Sequence, residues 1–266
     1  WVAVTAVRDV DGARVCGRGK PIALAPGQSP LPYGEPMMVL RRPAGVAAAV
    51  LVVVTVLHLG AQLAGWEHLA DVTQWVLMPL LALTLATQVP APRGQLVSLT
   101  LVALVFSWLG DAAPDLFSGD TAFIVKVAFF LVAQVVYIVA FSRFVRDSVL
   151  VRRPLLVLPY AAAIVALVIA CAPGADALLV PVLVYGACLG TMAMLATGLG
   201  PLVWAGGALF LVSDGLIALD AFVASFSLPA QGFWVMLTYI AAQVLIVSGT
   251  VQRRDVPAPL GQEAVA

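Results

Sequence analysis

Residues 154–172 read PLLVLPYAAAIVALVIACA, with Arg152 and Arg153 just before them and Asp176 shortly after. No charged residue interrupts the run. An α-helix needs about 20 apolar residues to cross the hydrocarbon core of a bilayer. No water is available there, so the backbone must satisfy its own hydrogen bonds, and a helix does that within one segment. The run therefore predicts a transmembrane helix with a basic end and an acidic end.

Working outward, the same reading gives seven more apolar runs. The eight predicted spans are 44–63, 73–90, 95–113, 121–142, 154–172, 176–197, 201–222 and 232–251. Pro79 and Pro181 fall inside two of them and predict kinks. Composition agrees: 62% of the 266 residues are hydrophobic and 11% are charged, and mean hydropathy is +1.04. A soluble domain carries roughly 25% charged residues, so this chain lacks the surface of a water-soluble globule. Its formal net charge of zero offers no basic face to neutralise phosphates, which argues against nucleic acid as a partner. Cys16, Cys171 and Cys188 match no metal or redox spacing. Cys171 and Cys188 sit in apolar runs and read as small hydrophobes.

The connections set direction. Arg41 and Arg42 precede span one, Arg93 follows span two, Arg143, Arg146, Arg152 and Arg153 follow span four, and Arg253 and Arg254 follow span eight. The intervening loops carry Glu67 and Asp71, then Asp111, Asp115 and Asp120, then Asp176, with Asp220 ending span seven; the short turn after span six is uncharged. Positive charge thus falls on alternate loops, which places both termini in the cytoplasm. The fold class is an all-α polytopic membrane protein, a bundle of eight transmembrane helices over 41–252, expected in a bacterial plasma membrane. Residues 1–40, rich in Gly, Pro and Arg, are read as a disordered tail or as a gene-model extension ahead of a start at Met37 or Met38. Residues 253–266 are read as a short cytoplasmic tail.

Ionisable groups inside spans are expensive and mark functional sites by default. Asp111 falls near the outer end of span three, Asp214 inside span seven, and Lys126 about one and a half turns into span four. Gln74 is expected at the outer start of span two, and His58 in the outer half of span one. Tyr239 and Gln243 share one face of span eight. Lys126, Phe130, Gln134 and Tyr137 make a stripe on span four. These groups share one depth, the outer half of the membrane, and would line one cavity if their faces turn inward. Plainer readings exist for most of them. Asp111 and Asp220 can be interfacial, Lys126 can reach out to the head-groups, His58 can be a packed, hydrogen-bonded histidine, and Tyr137 and Tyr239 can be packing residues. Asp214 is the hardest to explain this way, because no cation lies within a turn of it.

The segments Phe106-Ser107-x-x-Gly110-Asp111, Gly207-Ala-Leu-Phe210-x-x-Ser213-Asp214-x-x-Ile217-Ala218 and Tyr239-x-Ala-Ala-Gln243-x-Leu-Ile246 resemble the YhhN family of membrane proteins. Met78-Pro79-Leu80-Leu81 and Phe129-Phe130-x-x-Ala133-Gln134-x-x-Tyr137 fit the same pattern. The resemblance covers roughly 45–250. It implies an eight-helix fold and the activity of the lysoplasmalogenases, which cleave the vinyl-ether bond of a lysoplasmalogen to a fatty aldehyde and a glycerophospho-head-group. It also implies that Asp111 and Asp214 are the family's two intramembrane aspartates. Two positions depart from the family pattern: Gln74 stands where a Lys is usual, and Lys126 where a Gly is usual. One cation lost and one gained at similar depth suggest compensation.

Vinyl ethers resist base and yield to acid. Their hydrolysis needs a carboxylic acid that keeps its proton near neutral pH and a carboxylate that steadies the cation and activates water. Two carboxyl groups in unequal surroundings supply such a pair. Asp214, the deeper, is the candidate general acid, and Asp111 the candidate base. Ser107, Gln134, Tyr137, Tyr239 and Gln243 are candidates to bind the carboxylates or the substrate's glycerol, and Lys126 to bind the lipid phosphate. No cofactor or metal is expected. The expected partners are the lysophospholipid substrate and the membrane lipid. A lipid or small-molecule transporter using the same charges is the alternative, although no inverted repeat is evident. A structural or sensory membrane protein is a third.

Overall fold

The computed structural model describes residues 42–253. Nine α-helices lie in this range: α1 Arg42–Ala64, α2 Glu67–Gln88, α3 Gln95–Ala112, α4 Asp120–Ser142, α5 Val149–Arg152, α6 Val157–Ala175, α7 Leu179–Ala196, α8 Pro201–Phe222 and α9 Gln231–Arg253. Helix α5 is a single turn; the other eight are long and apolar enough to cross a membrane. At 1.5 Å per residue, 22 residues such as those of α8 reach about 33 Å, the thickness of the hydrocarbon core.

Helix ends fall where backbone chemistry demands. Gly200, at φ 110°, makes the turn into α8, and Pro201 occupies the first helical position, where a missing N–H is harmless. Arg93 closes α2 by donating to the carbonyls of Val89 at 2.7 Å and Ala86 at 3.0 Å, groups that a helix end leaves without partners. The expected boundaries hold within a few residues, with three corrections. Helix α2 begins at Glu67 rather than at 73, because Glu67 and Asp71 are the solvated first turns of the helix and not a loop; Gln74 is therefore two turns inside it. Pro181 lies in the first turn of α7, where it breaks no hydrogen bond, whereas Pro79 lies within an unbroken α2. Arg253, assigned above to a tail, is the last residue of α9. The readings made for residues 1–41 and 254–266 lie outside the described residues.

Helix α9 is the central post, with 56% of its membrane span buried against 6% for the peripheral α6. It packs on α8, α1, α2 and α3, while α4 meets α3 and α7, and α6 leans on α7 and α8. Between lipid-bathed helices, packing and polar bonds drive association, so small residues sit at the closest crossings. At Gly206 of α8, a Cβ would lie 2.8 Å from the Ala242 carbonyl oxygen of α9. Outward faces such as Val46, Val53 and Val56 of α1 are exposed and apolar, as lipid contact requires.

One end of the bundle carries Arg42, Arg93, Arg143, Arg146, Arg152, Arg153 and Arg253. There Asp147 pairs with Arg152 and, at 3.3 Å, with Arg253, whose guanidinium stacks over Phe144. The opposite end carries Glu67, Asp71, Asp115, Asp120, Asp176 and Asp220 and no Lys or Arg. The two ends of the described bundle thus differ in sign.

Candidate active site

Asp111, Gln74, Tyr239, Tyr185 and Asp214 lie in the half of the bundle nearer its acidic end. Gln134 and Gln243 are near mid-helix and Tyr137 is nearer the basic end, which corrects the expectation of one shared depth. Asp111, the last but one residue of α3, is 6% exposed. Its Oδ2 accepts the Tyr239 hydroxyl of α9 at 2.9 Å, and its Oδ1 accepts the Gln74 side-chain amide of α2 at 3.4 Å. Asp214 of α8 is also 6% exposed. Its Oδ2 accepts two bonds, from the Tyr185 hydroxyl of α7 at 2.6 Å and from Gln134 Nε2 of α4 at 2.9 Å. Among the described residues, Asp214 Oδ1 accepts none.

An aromatic partition lies between these two groups. Phe130, Phe210 and Tyr239 touch edge to face, with centroids 5.6–6.4 Å apart, the geometry that ring quadrupoles favour. Gly110, next to Asp111, lies flat on the Phe130 ring: a Cβ there would be 2.8 Å from Cδ2 and Cε2. Phe210 is one turn from Asp214 and Tyr239 holds Asp111, so the partition links the carboxyls while keeping them apart.

A second polar chain runs beneath. Tyr137 donates to Gln243 Oε1 at 2.6 Å, and Gln243 Nε2 donates to Ser107 Oγ at 3.0 Å. All three side chains are wholly buried. They tie α4, α9 and α3 together, and none of them lines the cavity described next. Gln134 is equally buried, and its Oε1 has no hydrogen-bond partner among the described residues.

A cleft of about 340 Å³ opens between α4, α6, α7 and α8. Its walls are apolar, among them Phe123, Leu131, Ile164, Leu167 and Val182; its polar side chains are Asp214, Tyr185 and Lys126. Asp111 is not among its lining residues. The expectation that the polar groups line one cavity is corrected: Asp214 stands on the cleft wall, and Asp111 lies behind, where Phe130 fills the space between α3 and α4. Lys126 is half-buried and makes no hydrogen bond or ion pair among the described residues. Both it and Asp214 are near enough to act on the Asp111 carboxyl through charge.

Tyr185 escaped the sequence reading. It directly follows the apolar run Leu179–Val184, where a tyrosine looks like packing; its only signal was a hydroxyl at a depth where water is absent. Gln74 was noted there for its depth and as a departure from the family pattern, but not as a partner of Asp111. His58 is what the plain reading expected: its Nδ1 lies 2.9 Å from Thr73 Oγ1 and 3.1 Å from the Ala70 carbonyl, pinning α1 to α2. At the acidic end, Trp75 donates to Asp115 at 2.8 Å and Trp108 to the Trp75 carbonyl at 2.9 Å, so Asp115 belongs to a surface clamp.

Fold and site together define an integral membrane protein of eight spanning helices with two acidic groups buried in its interior. The chain belongs to the YhhN family, whose model matches residues 69–250, as the motifs of spans two, three, four, seven and eight indicated. It is 34% identical to lysoplasmalogenase TMEM86B of Rattus norvegicus over 169 residues, 63% of this chain and 68% of that one. It is 34% identical to lysoplasmalogenase TMEM86B of Homo sapiens over 182 residues, 64% of this chain and 70% of that one. No solved structure matches the chain.

Proposed function

We propose that this protein hydrolyses the vinyl-ether bond of a lysoplasmalogen within the membrane, releasing a fatty aldehyde and a glycerophospho-head-group. The observation that carries the reading is the Asp214 carboxyl on the wall of an apolar, lipid-side cleft, with one oxygen held by two donors and the other free. The names of the mammalian relatives support it.

Asp214 protonates the alkene carbon remote from the ether oxygen, and the positive charge develops as an oxocarbenium ion. Two donors on Oδ2 leave Oδ1 to carry the proton. Asp111, behind the Phe130 wall and out of reach of the cleft, offsets the growing cation through space, and the Asp214 carboxylate takes a proton from the attacking water. The hemiacetal then collapses. Asp214 gives that proton to the departing glycerol oxygen and recovers one from the hemiacetal hydroxyl, so one water is consumed and the acid is reset. The unpaired Oε1 of Gln134, beside Asp214, is an acceptor for that water; buried acceptors seldom stay empty. Ser107, Tyr137 and Gln243 brace the helices, and Tyr239 and Gln74 hold Asp111. The basic end of the bundle faces the cytoplasm, which puts the site in the outer half of the bilayer.

Purified protein in detergent should release aldehyde from a vinyl-ether lysolipid and not from the ester analogue. Asp214→Asn should reduce turnover by about 100-fold or more, the scale of general acid–base assistance, and Asp111→Asn, which removes the charge behind the wall, by about tenfold or more. Near-normal turnover in either variant removes that residue from the mechanism. No aldehyde from the wild-type protein overturns the reading in favour of a transporter, which shows nothing without a sealed membrane.

A further inference from the structure

Lys126 is the one Lys or Arg among the described residues that sits inside a membrane span away from its ends. Its charge has no counter-ion within ion-pair distance, yet its side chain lines the cleft. An unneutralised ammonium at this depth is costly and is kept where an anion comes to it. The remaining walls offer nothing polar but Asp214 and Tyr185, so the anion must arrive on a long apolar body.

We infer that the cleft takes a single-chain lipid laterally from the membrane, with a head-group phosphate on the Lys126 ammonium and the hydrocarbon chain between α4, α6 and α7. This rests on the preceding reading for its chemistry, although the binding itself needs no bond to break. Three features argue for it. The cleft volume of about 340 Å³ is at the small end of the roughly 300–1,000 Å³ usual for ligand sites, room for one chain and not for two. Ile124, on the rim, is exposed to the lipid side, and α6, which forms one wall, is almost wholly lipid-facing, so the cleft is approached from the membrane. Lys126, Phe130 and Gln134 follow one another at single-turn intervals on α4, about 12 Å of axis from first to last, and Gln134 grips Asp214. A phosphate held at Lys126 therefore lays the glycerol and the first chain atoms beside the Asp214 carboxyl. Lys126 is thus a specificity-determining residue: it selects lipids with a phosphate and sets which ether bond reaches the acid.

The test uses the full chain in a steroid-type detergent and three probes: a saturated alkyl-ether lysophospholipid, which cannot be cleaved, the matching monoalkylglycerol, and inorganic phosphate. Wild-type protein should bind the phospholipid at least about tenfold more tightly than the alkylglycerol, the range of a charge-assisted bond. Lys126→Gln should bring that ratio close to one, and Lys126→Arg should keep it. Val182→Trp, which fills the cleft, should weaken both lipids and leave their ratio alone. Inorganic phosphate should not compete at concentrations that saturate the lipid. An unchanged ratio in Lys126→Gln, full binding in Val182→Trp, or competition by inorganic phosphate overturns the inference. Loss of the ratio in a protein that cleaves no vinyl ether would sink the hydrolytic reading and leave this one standing. Normal cleavage with an unchanged ratio would do the reverse.

Discussion

The Tyr185 hydroxyl donates to Asp214 Oδ2 at 2.6 Å across the contact of α7 with α8. Gln134 reaches the same oxygen from α4, so one side of the carboxyl is fixed by two helices and the other faces the cleft. Tyr185→Phe keeps the ring on the cleft wall and removes the donor. A hydrogen bond to a charged group contributes about 1.5–3 kcal/mol, so kcat for aldehyde release should fall by about ten- to a hundredfold, with a smaller effect on KM. Unchanged kcat would mean that the hydroxyl does not position the acid.

Gly110 touches the Phe130 ring so closely that any Cβ there displaces it. Gly110→Ala raises helix propensity by about 1 kcal/mol, so the protein should fold, yet the shifted ring alters the wall between Asp111 and Asp214. Turnover should drop by about tenfold or more. Gly110→Ala with Phe130→Leu should recover part of it, because the smaller side chain makes room. No recovery in the double variant would place the defect elsewhere.

Gln74 and Lys126 both bear on Asp111, one by a hydrogen bond and one through charge. A cation on α2 or on α4 would therefore act on the same carboxyl, although of the two positions only Lys126 lines the cleft. Lys126→Gly alone should cost activity on a phosphate-bearing lysolipid, and Gln74→Lys with Lys126→Gly should restore the share that acts through Asp111 and not the preference for a phosphate. Equal rates in the single and double variants would end the idea of compensation.

Tyr137 and Gln243 act on the fold more than on the reaction. Tyr137→Phe leaves Gln243 Oε1 buried without its donor, which costs about 1–3 kcal/mol. The melting temperature in detergent should fall, while kcat should fall less than in Tyr185→Phe. The reverse order of effects would make the buried strut part of the chemistry.

Much of this architecture was legible before any coordinates. Hydropathy and the alternation of Arg and Asp loops are both one-dimensional signals, and α8 was found to the residue because Gly200-Pro201 punctuates its start. The start of α2 was missed because charged Glu67 and Asp71 look like loop, although a helix end in water tolerates them. Asp111 and Asp214 stood out because a carboxyl at membrane depth is rare whatever its surroundings. Tyr185 and the cleft did not stand out. A tyrosine among valines carries no periodic mark, and the gap between α4 and α6 exists only once four helices have packed. That Asp111 lies behind Phe130 depends on the close approach of Gly110 to the ring, which residue order does not announce.

Helix α6 forms one wall of the cleft while almost none of its span is covered by protein. The solvent of that wall is alkyl tails, so the medium becomes a reagent. A straight-chain surfactant matches the slot and competes with substrate for it, whereas a rigid, plate-like one does not. Inhibition constants gathered in the two kinds of micelle should therefore diverge, and in a bilayer the ordinary phospholipids, crowding the same flank, set how often the slot is vacant for the chain that can react.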